Sequence, residues 1–333
     1  MAKQAKEPES LQEAIVYFSK PENCLSYMIA RRWPNGVVCP TCGSEKVGFI
    51  PTRLLWECKA KHAKRQFSAK IGTVMEDSAI GLDKWLCAFW MVANCKNGVS
   101  SYEIHRTIRV TQKSAWFMLH RIRLALHSEP GCKAGGEVEA DETFVGGKVA
   151  NMHKGRRVRI QAARSAIRDL EAGGKTGKTA VMGILDRQTR QIRARVIPNV
   201  RREVLQGEIL KHVEHGSSVY TDDAGGYRYL PVDKFVHAVV DHEKEYVNGR
   251  VHTNGLENFW SLLKRSLKGT YVAVEPFHLD RYVDEQVFRF NNRATKDNPL
   301  TDADRFCLAV SQIVNKRLTY SELTGKEGKK PAL

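Results

Sequence analysis

Residues 137–147 read EVEADETFVGG, and the way this run pairs decides what kind of protein the chain forms. It alternates, so that Glu137, Glu139 and Asp141 share one side of an extended strand. Val138, Ala140 and Glu142 share the other. The run also marks a change, because residues 82–128 upstream read as helices. Downstream, TAVMGILDRQT (179–189) and QIRARVIPNV (191–200) are two further strands that meet in a hairpin turn at DRQTRQ. A helix REVLQGEILKHV (202–213) follows, then strands SSVYTDD (217–223) and FVHAVVDH (235–242). Two helices close the region, one opening near residue 254 and one over FHLDRYVDEQVFRFNNR (277–293). Three strands in succession, then mixed helix and strand, predict an α/β domain with a mixed sheet.

Within this domain three acids stand at element ends. Asp141 lies on the first strand, Asp222 ends the strand SSVYTD, and Glu257 opens the helix in VHTNGLENFWSLLKRSLKGTY (251–271). On that helix Leu256, Phe259, Trp260, Leu263 and Leu267 form an apolar stripe, while Glu257, Ser261, Lys264 and Lys268 line a polar one. Carboxylates brought within a few ångströms repel unless cations offset them. Convergence of Asp141, Asp222 and Glu257 therefore predicts a site for magnesium or manganese. Two such ions would serve in-line phosphodiester cleavage and transfer. Lys264, two turns along the same face, could hold a phosphate beside them, with Arg265 next to it. Each acid alone has a plain structural reading: Asn254-x-x-Glu257 as a capping box, Asp222 and Asp223 as a turn, Asp141 as a surface residue.

A second cluster lies upstream. VVCPTCGS supplies Cys39 and Cys42, and CKAKH supplies Cys58 and His62. Two short knuckles separated by a strand pair are how a zinc ribbon gathers four tetrahedral ligands, so structural zinc is expected here. The remaining cysteines, Cys24, Cys87, Cys95, Cys132 and Cys307, are scattered and read as small buried hydrophobes.

Helices ending at Gly98 and near Val110, with a third from Thr111, have helix-turn-helix lengths. Gln112 and Lys113 at the start of the third helix would face base edges, and Arg121 and Arg123 would reach phosphates. HKGRRVRIQAARSAIR (153–168), with Arg156, Arg157 and Arg159, is a further DNA-contacting candidate or a solvated stretch. GGKTGKT (173–179) lacks phosphate-loop spacing and reads as a basic turn.

The net charge of +16 favours polyanionic partners and points to DNA. No apolar run is long enough to span a membrane, and MAKQAKEPES has no signal-peptide core, so a cytoplasmic, nucleoid-associated protein is expected. The expected organisation is an N-terminal helical segment (1–32), broken at Pro21, and a zinc ribbon (33–80). A helix-turn-helix-like segment (81–130), an α/β catalytic domain (131–300) and a C-terminal helix and tail (301–333) follow.

With these pieces assembled, the chain resembles insertion-sequence transposases of the fifteen-ninety-five group. The matching stretches are CPTCGS, RQFSAKIGTVME, ADETFVGGK, YTDDAGGY, HTNGLENFWSLLKR and HLDRYVDEQVFRFNNR. The resemblance implies an N-terminal zinc ribbon and a DDE domain of the ribonuclease-H-like fold. It further implies Asp141, Asp222 and Glu257 as the acids and Lys264 as the accompanying lysine. Some relatives use asparagine in the third role, and this chain carries both Asn254 and Glu257. Two departures stand out: Cys58 and His62 where many relatives have two cysteines, and Val272-Ala273 where relatives often carry histidine. The implied activity is cleavage at terminal inverted repeats and strand transfer to target DNA by a homo-oligomer. A DNA-binding regulator on the same scaffold and a simple metal-dependent nuclease are the alternatives.

Overall fold

In the computed structural model, the described residues are 6–128, 131–147, 154–155, 158, 178–222, 225–240, 251–296 and 298–325. The chain divides into two compact units, Met1–Ser128 with Asn292–Leu333, and Glu129–Asn291.

The first unit begins with helices α1 (Leu11–Phe18) and α2 (Pro21–Arg32). Ser10 caps α1 by accepting the Glu13 N–H, and Pro21 occupies the first turn of α2, where its missing N–H costs nothing. A small antiparallel sheet follows: β1 (Val47–Ile50), β2 (Leu55–Cys58) and β3 (Gln66–Phe67). Trp56 stacks on Phe67 and meets Trp33 edge-on, giving this small sheet an aromatic floor. Then come α3 (Leu82–Asn94), α4 (Ser101–Ile108) and α5 (Gln112–Leu126). The chain returns to this unit at its far end with α9 (Asp302–Ser311) and α10 (Tyr320–Leu323). Phe306 of α9 is buried against Phe18, Tyr27 and Trp90, so this helix completes the N-terminal core. Cys24 is buried as expected, Cys87, Cys95 and Cys307 are half-buried, and Cys132 is exposed. Cys132 lies before the first strand of the second unit rather than on a helix.

The second unit is built on one five-stranded sheet. Its strands are β4 (Glu137–Val145), β5 (Thr179–Asp186), β6 (Ile192–Ile197), β7 (Ser218–Asp222) and β8 (Val236–Val240), in the order β6-β5-β4-β7-β8. The first three form an antiparallel meander, and β7 and β8 add in parallel beside β4. This is the ribonuclease-H-like mixed sheet that the resemblance implied. β5 shows why its sequence is almost continuously apolar. Ala180, Met182 and Ile184 pack with Leu205 and Ile209 of α6 (Arg202–His212) on one face. Val181 and Leu185 pack on the other face with Leu256, Phe259, Trp260 and Leu263 of α7 (Asn254–Ser266) and with α8 (Leu279–Asn291). A strand covered on both faces has no polar side to present.

Candidate active site and zinc centre

Cys39, Cys42, Cys58 and His62 come together, their ligand atoms all within 4.8 Å of one another. The first knuckle is closed by the Gly43 N–H bonding to the Cys39 carbonyl at 2.8 Å, with Gly43 at φ +73°, where a side chain would be strained. Cys58 ends β2, whose pairing with β1 carries it to the knuckle. The Nδ1 of His62 lies 2.7 Å from the Ala63 carbonyl, an acceptor only, so Nδ1 carries the proton and Nε2 faces the sulfurs. Burial opposes ionisation of Cys39, but hydrogen bonds from Cys42 and Thr41 outweigh it and lower the thiol to about 6. Three sulfurs, one imidazole and a thiolate-favouring knuckle fit a closed, structural zinc.

The acidic site arises from strand register. β4 pairs Glu137 with Ser218 and Glu139 with Tyr220 in parallel, and two residues further along each strand stand Asp141 and Asp222. The carboxylate oxygens of Asp141, Asp222 and Glu142 lie within 4.8 Å of one another. Glu142 stands on the opposite face of β4 from Asp141, as the alternation predicts, with Tyr227 on its side and Trp260 on the side of Asp141, yet it joins the site, which the sequence reading did not include. Pairing of β4 with β7 ends at Glu139–Tyr220, just before these acids. The Tyr227 hydroxyl, itself buried, donates to Glu142 Oε2 at 2.8 Å. The adjacency of two acids in ADET was the only sequence signal for Glu142.

Burial pushes the Asp141 carboxyl up to about 7; Asp222 and Glu142 add to the rise, while the Trp260 N–H opposes it. Glu142 is also raised, chiefly by burial and then by Asp222, against its hydrogen bond from Tyr227. Two half-buried acids held in their neutral direction beside a third form a hard oxygen donor set that a divalent cation would stabilise in its ionised form. The residues present thus fit magnesium or manganese.

α7 lies against this site. The Trp260 indole N–H donates to Asp141 Oδ2 at 2.8 Å. The indole fits because Gly183, the partner of Asp141 on β5, has no side chain; a Cβ there would sit 2.8 Å from Trp260 and Leu256 carbons. Glu257, one turn before Trp260, is exposed and is not a member of the close trio. Asn254, Lys264 and Arg265 are exposed on the same helix. The capping-box reading of Asn254 and Glu257 does not hold. Thr253 is the N-cap residue without a side-chain bond, and the Glu257 N–H bonds to the Thr253 carbonyl as an ordinary helical residue.

In the segment read as helix-turn-helix-like, α4 is closed by a Ser100–Glu103 capping box, Arg109 adopts a left-handed turn, and Thr111 caps α5. Lys113 is exposed beside the Tyr320 ring, while Gln112 donates to Ser101 Oγ at 2.9 Å. Arg121 and Arg123, expected at phosphates, are instead buried at 5% and 1% exposure. From Met118 to Arg123 every residue of α5 is buried, so both arginines are enclosed whichever way they face, and Arg121 bonds to the Glu76 carbonyl. Arg156, Arg157 and Arg159 lie outside the described residues, as does 173–177 of the basic turn.

Comparison with known proteins agrees with this geometry. An ISXO2-like transposase domain matches residues 133–291, and a transposase zinc-ribbon domain matches residues 20–63. The chain is also similar to an uncharacterized protein in transposable element ISH50 of Halobacterium salinarum. The two are 32% identical over 249 residues, covering 71% of this chain and 79% of the relative. The chain belongs to the insertion-sequence transposases of the fifteen-ninety-five group, with a zinc ribbon ahead of an ISXO2-like DDE domain.

Proposed function

We propose that the protein binds the terminal inverted repeats of its insertion sequence, cleaves strands there and joins the freed 3′ hydroxyl to target DNA. The observation that carries this reading is the register that sets Asp141 beside Asp222, with α7 docked on Asp141 through Trp260. Magnesium or manganese, when bound by these acids, would supply activation of the attacking oxygen and stabilisation of the leaving one. Asp141 and Asp222 would hold the ions, and Glu142 adds a third carboxylate to the same group. Glu257, in the first turn of α7, is the third acid of the set and would approach the ions from the helix side. Lys264 and Arg265 bind the phosphates flanking the scissile bond, where they fix register without reading sequence. Catalysis then depends on positioning and electrostatics, with no covalent enzyme intermediate.

The zinc ribbon and the start of α5, with Gln112 and Lys113, serve repeat recognition. Two DNA ends must be joined, so at least two copies of the chain assemble. The setting is the cytoplasm, at the nucleoid; no described helix is long and apolar enough to cross a membrane.

Asp141→Asn tests the reading. Strand cleavage and transfer on end-containing DNA should be abolished while repeat binding stays nearly unchanged. A native chain that neither nicks nor joins such DNA with magnesium or manganese would sink the enzymatic proposal.

A further inference from the structure

Glu139 has no role in the chemistry so far, yet it is among the most buried acids of the chain, at 1% exposure. It sits on β4 two residues before Asp141, and its two oxygens face different elements. Oε1 accepts from Arg187 Nε at 2.8 Å. Oε2 accepts from the Leu256 backbone N–H at 3.0 Å. Leu256 is the third residue of α7, and its N–H is one of those left over at a helix start. Thr253 provides no side-chain cap, so the cap comes from across the sheet. Arg187 extends the clamp. It donates to the His252 carbonyl at 2.5 Å and lies 2.8 Å from His252 Nδ1, fixing the residues just before the helix. Gly255 gives a second, independent sign of close fit. A Cβ there would sit 2.8 Å from Glu139 Oε2 and 2.3 Å from Leu185, so the backbone lies directly on the carboxylate.

We propose that Glu139 is a positioning residue that pins the first turn of α7 to β4, and so sets Trp260 against Asp141. One strand then carries both a site acid and the anchor of the helix that completes the site. A carboxylate suits this place for two reasons. It accepts from a helix N-terminus, where negative charge is favoured, and it offsets the half-buried Arg187 guanidinium. The consequence for catalysis rests on the transposase reading; the clamp itself does not.

The test is Glu139→Gln in the full chain. Glutamine keeps the shape but offers one acceptor to two donors, Arg187 and Leu256, so one bond must be lost. Expected are faster amide exchange confined to residues 251–260 and Mn2+ affinity weaker by about tenfold or more. Cleavage should slow comparably, as when a supporting partner of a metal ligand is removed, with repeat DNA affinity unchanged. Should that variant fail to fold, Arg187→Lys, which keeps the charge but loses the fork, should show the same pattern at about threefold. A folded Glu139→Gln protein with wild-type exchange over 251–260 and wild-type Mn2+ affinity overturns the proposal, even if its melting temperature drops. If the wild-type chain itself does not cleave, the transposase reading fails, while exchange and Mn2+ binding still judge Glu139.

Discussion

The Trp260 indole donates its N–H to Oδ2 of Asp141 across the interface between α7 and the sheet, at 2.8 Å. A side chain of the apolar stripe thereby holds a site carboxylate from the helix side. The bond favours the ionised acid against the burial that disfavours it.

Trp260→Phe removes this donor and keeps most of the packing. Asp141 should then ionise at higher pH, with the midpoint of the cleavage pH profile moved up by about one pH unit. Activity near pH 7 falls several-fold and recovers at higher pH. An unmoved midpoint would show that the indole contributes packing only.

Asp141 also ties stability to pH. Its carboxyl is raised from 3.8 to about 7 in the folded chain, so its contribution is fully present below the ordinary carboxylate range. That contribution is lost as pH rises through about 7. In EDTA the second unit should melt at lower temperature at pH 8 than at pH 5.5. Mn2+ binds the ionised acids, so the rise in melting temperature it induces should be small at pH 5.5 and largest above pH 7. Equal metal-induced shifts at both pH values would count against Asp141 as a ligand.

The zinc centre predicts a local effect. Chelation, or Cys58→Ser, should release the metal and unfold the ribbon while the α/β domain keeps its structure. His62→Cys should retain zinc, because a fourth thiolate completes an equally good tetrahedral set. Metal content and amide exchange across residues 36–68 report the outcome.

The two ends of α5 should behave differently. Lys113→Ala, at the exposed start, should leave stability nearly unchanged and lower the salt slope of DNA binding by about one. Arg123→Ala, deep in the core, should lower the melting temperature by an amount corresponding to about 2–4 kcal/mol and leave the salt slope alone. A salt slope altered by Arg123→Ala without loss of stability would reverse this assignment.

The local grammar of the chain was legible from residue order. The alternation of EVEADETFV, the hairpin at DRQTRQ, Ser10 before α1 and Thr111 before α5 are short-range features, governed by side-chain period and by capping. The convergence of Cys39, Cys42, Cys58 and His62 was legible for the same reason, since two knuckles one strand pair apart leave little freedom of arrangement. Burial was harder. Arg121 and Arg123 resemble phosphate contacts in sequence, and only the packing around α5 encloses them.

Residue order by itself determined most of the elements and the spacing of the two cysteine knuckles, because these follow from interactions within a few residues; Asp141, read as standing at an element end, lies in the middle of β4. Tertiary structure alone decided the rest. It brought Glu142 to Asp141 and Asp222 where the ladder ends, and it made Glu139 the cap of a helix more than a hundred residues away. Both depend on the register between strands distant in the chain and on helix docking over Gly183. Such long-range pairings are selected by the burial of both sheet faces together, which no local run of residues encodes.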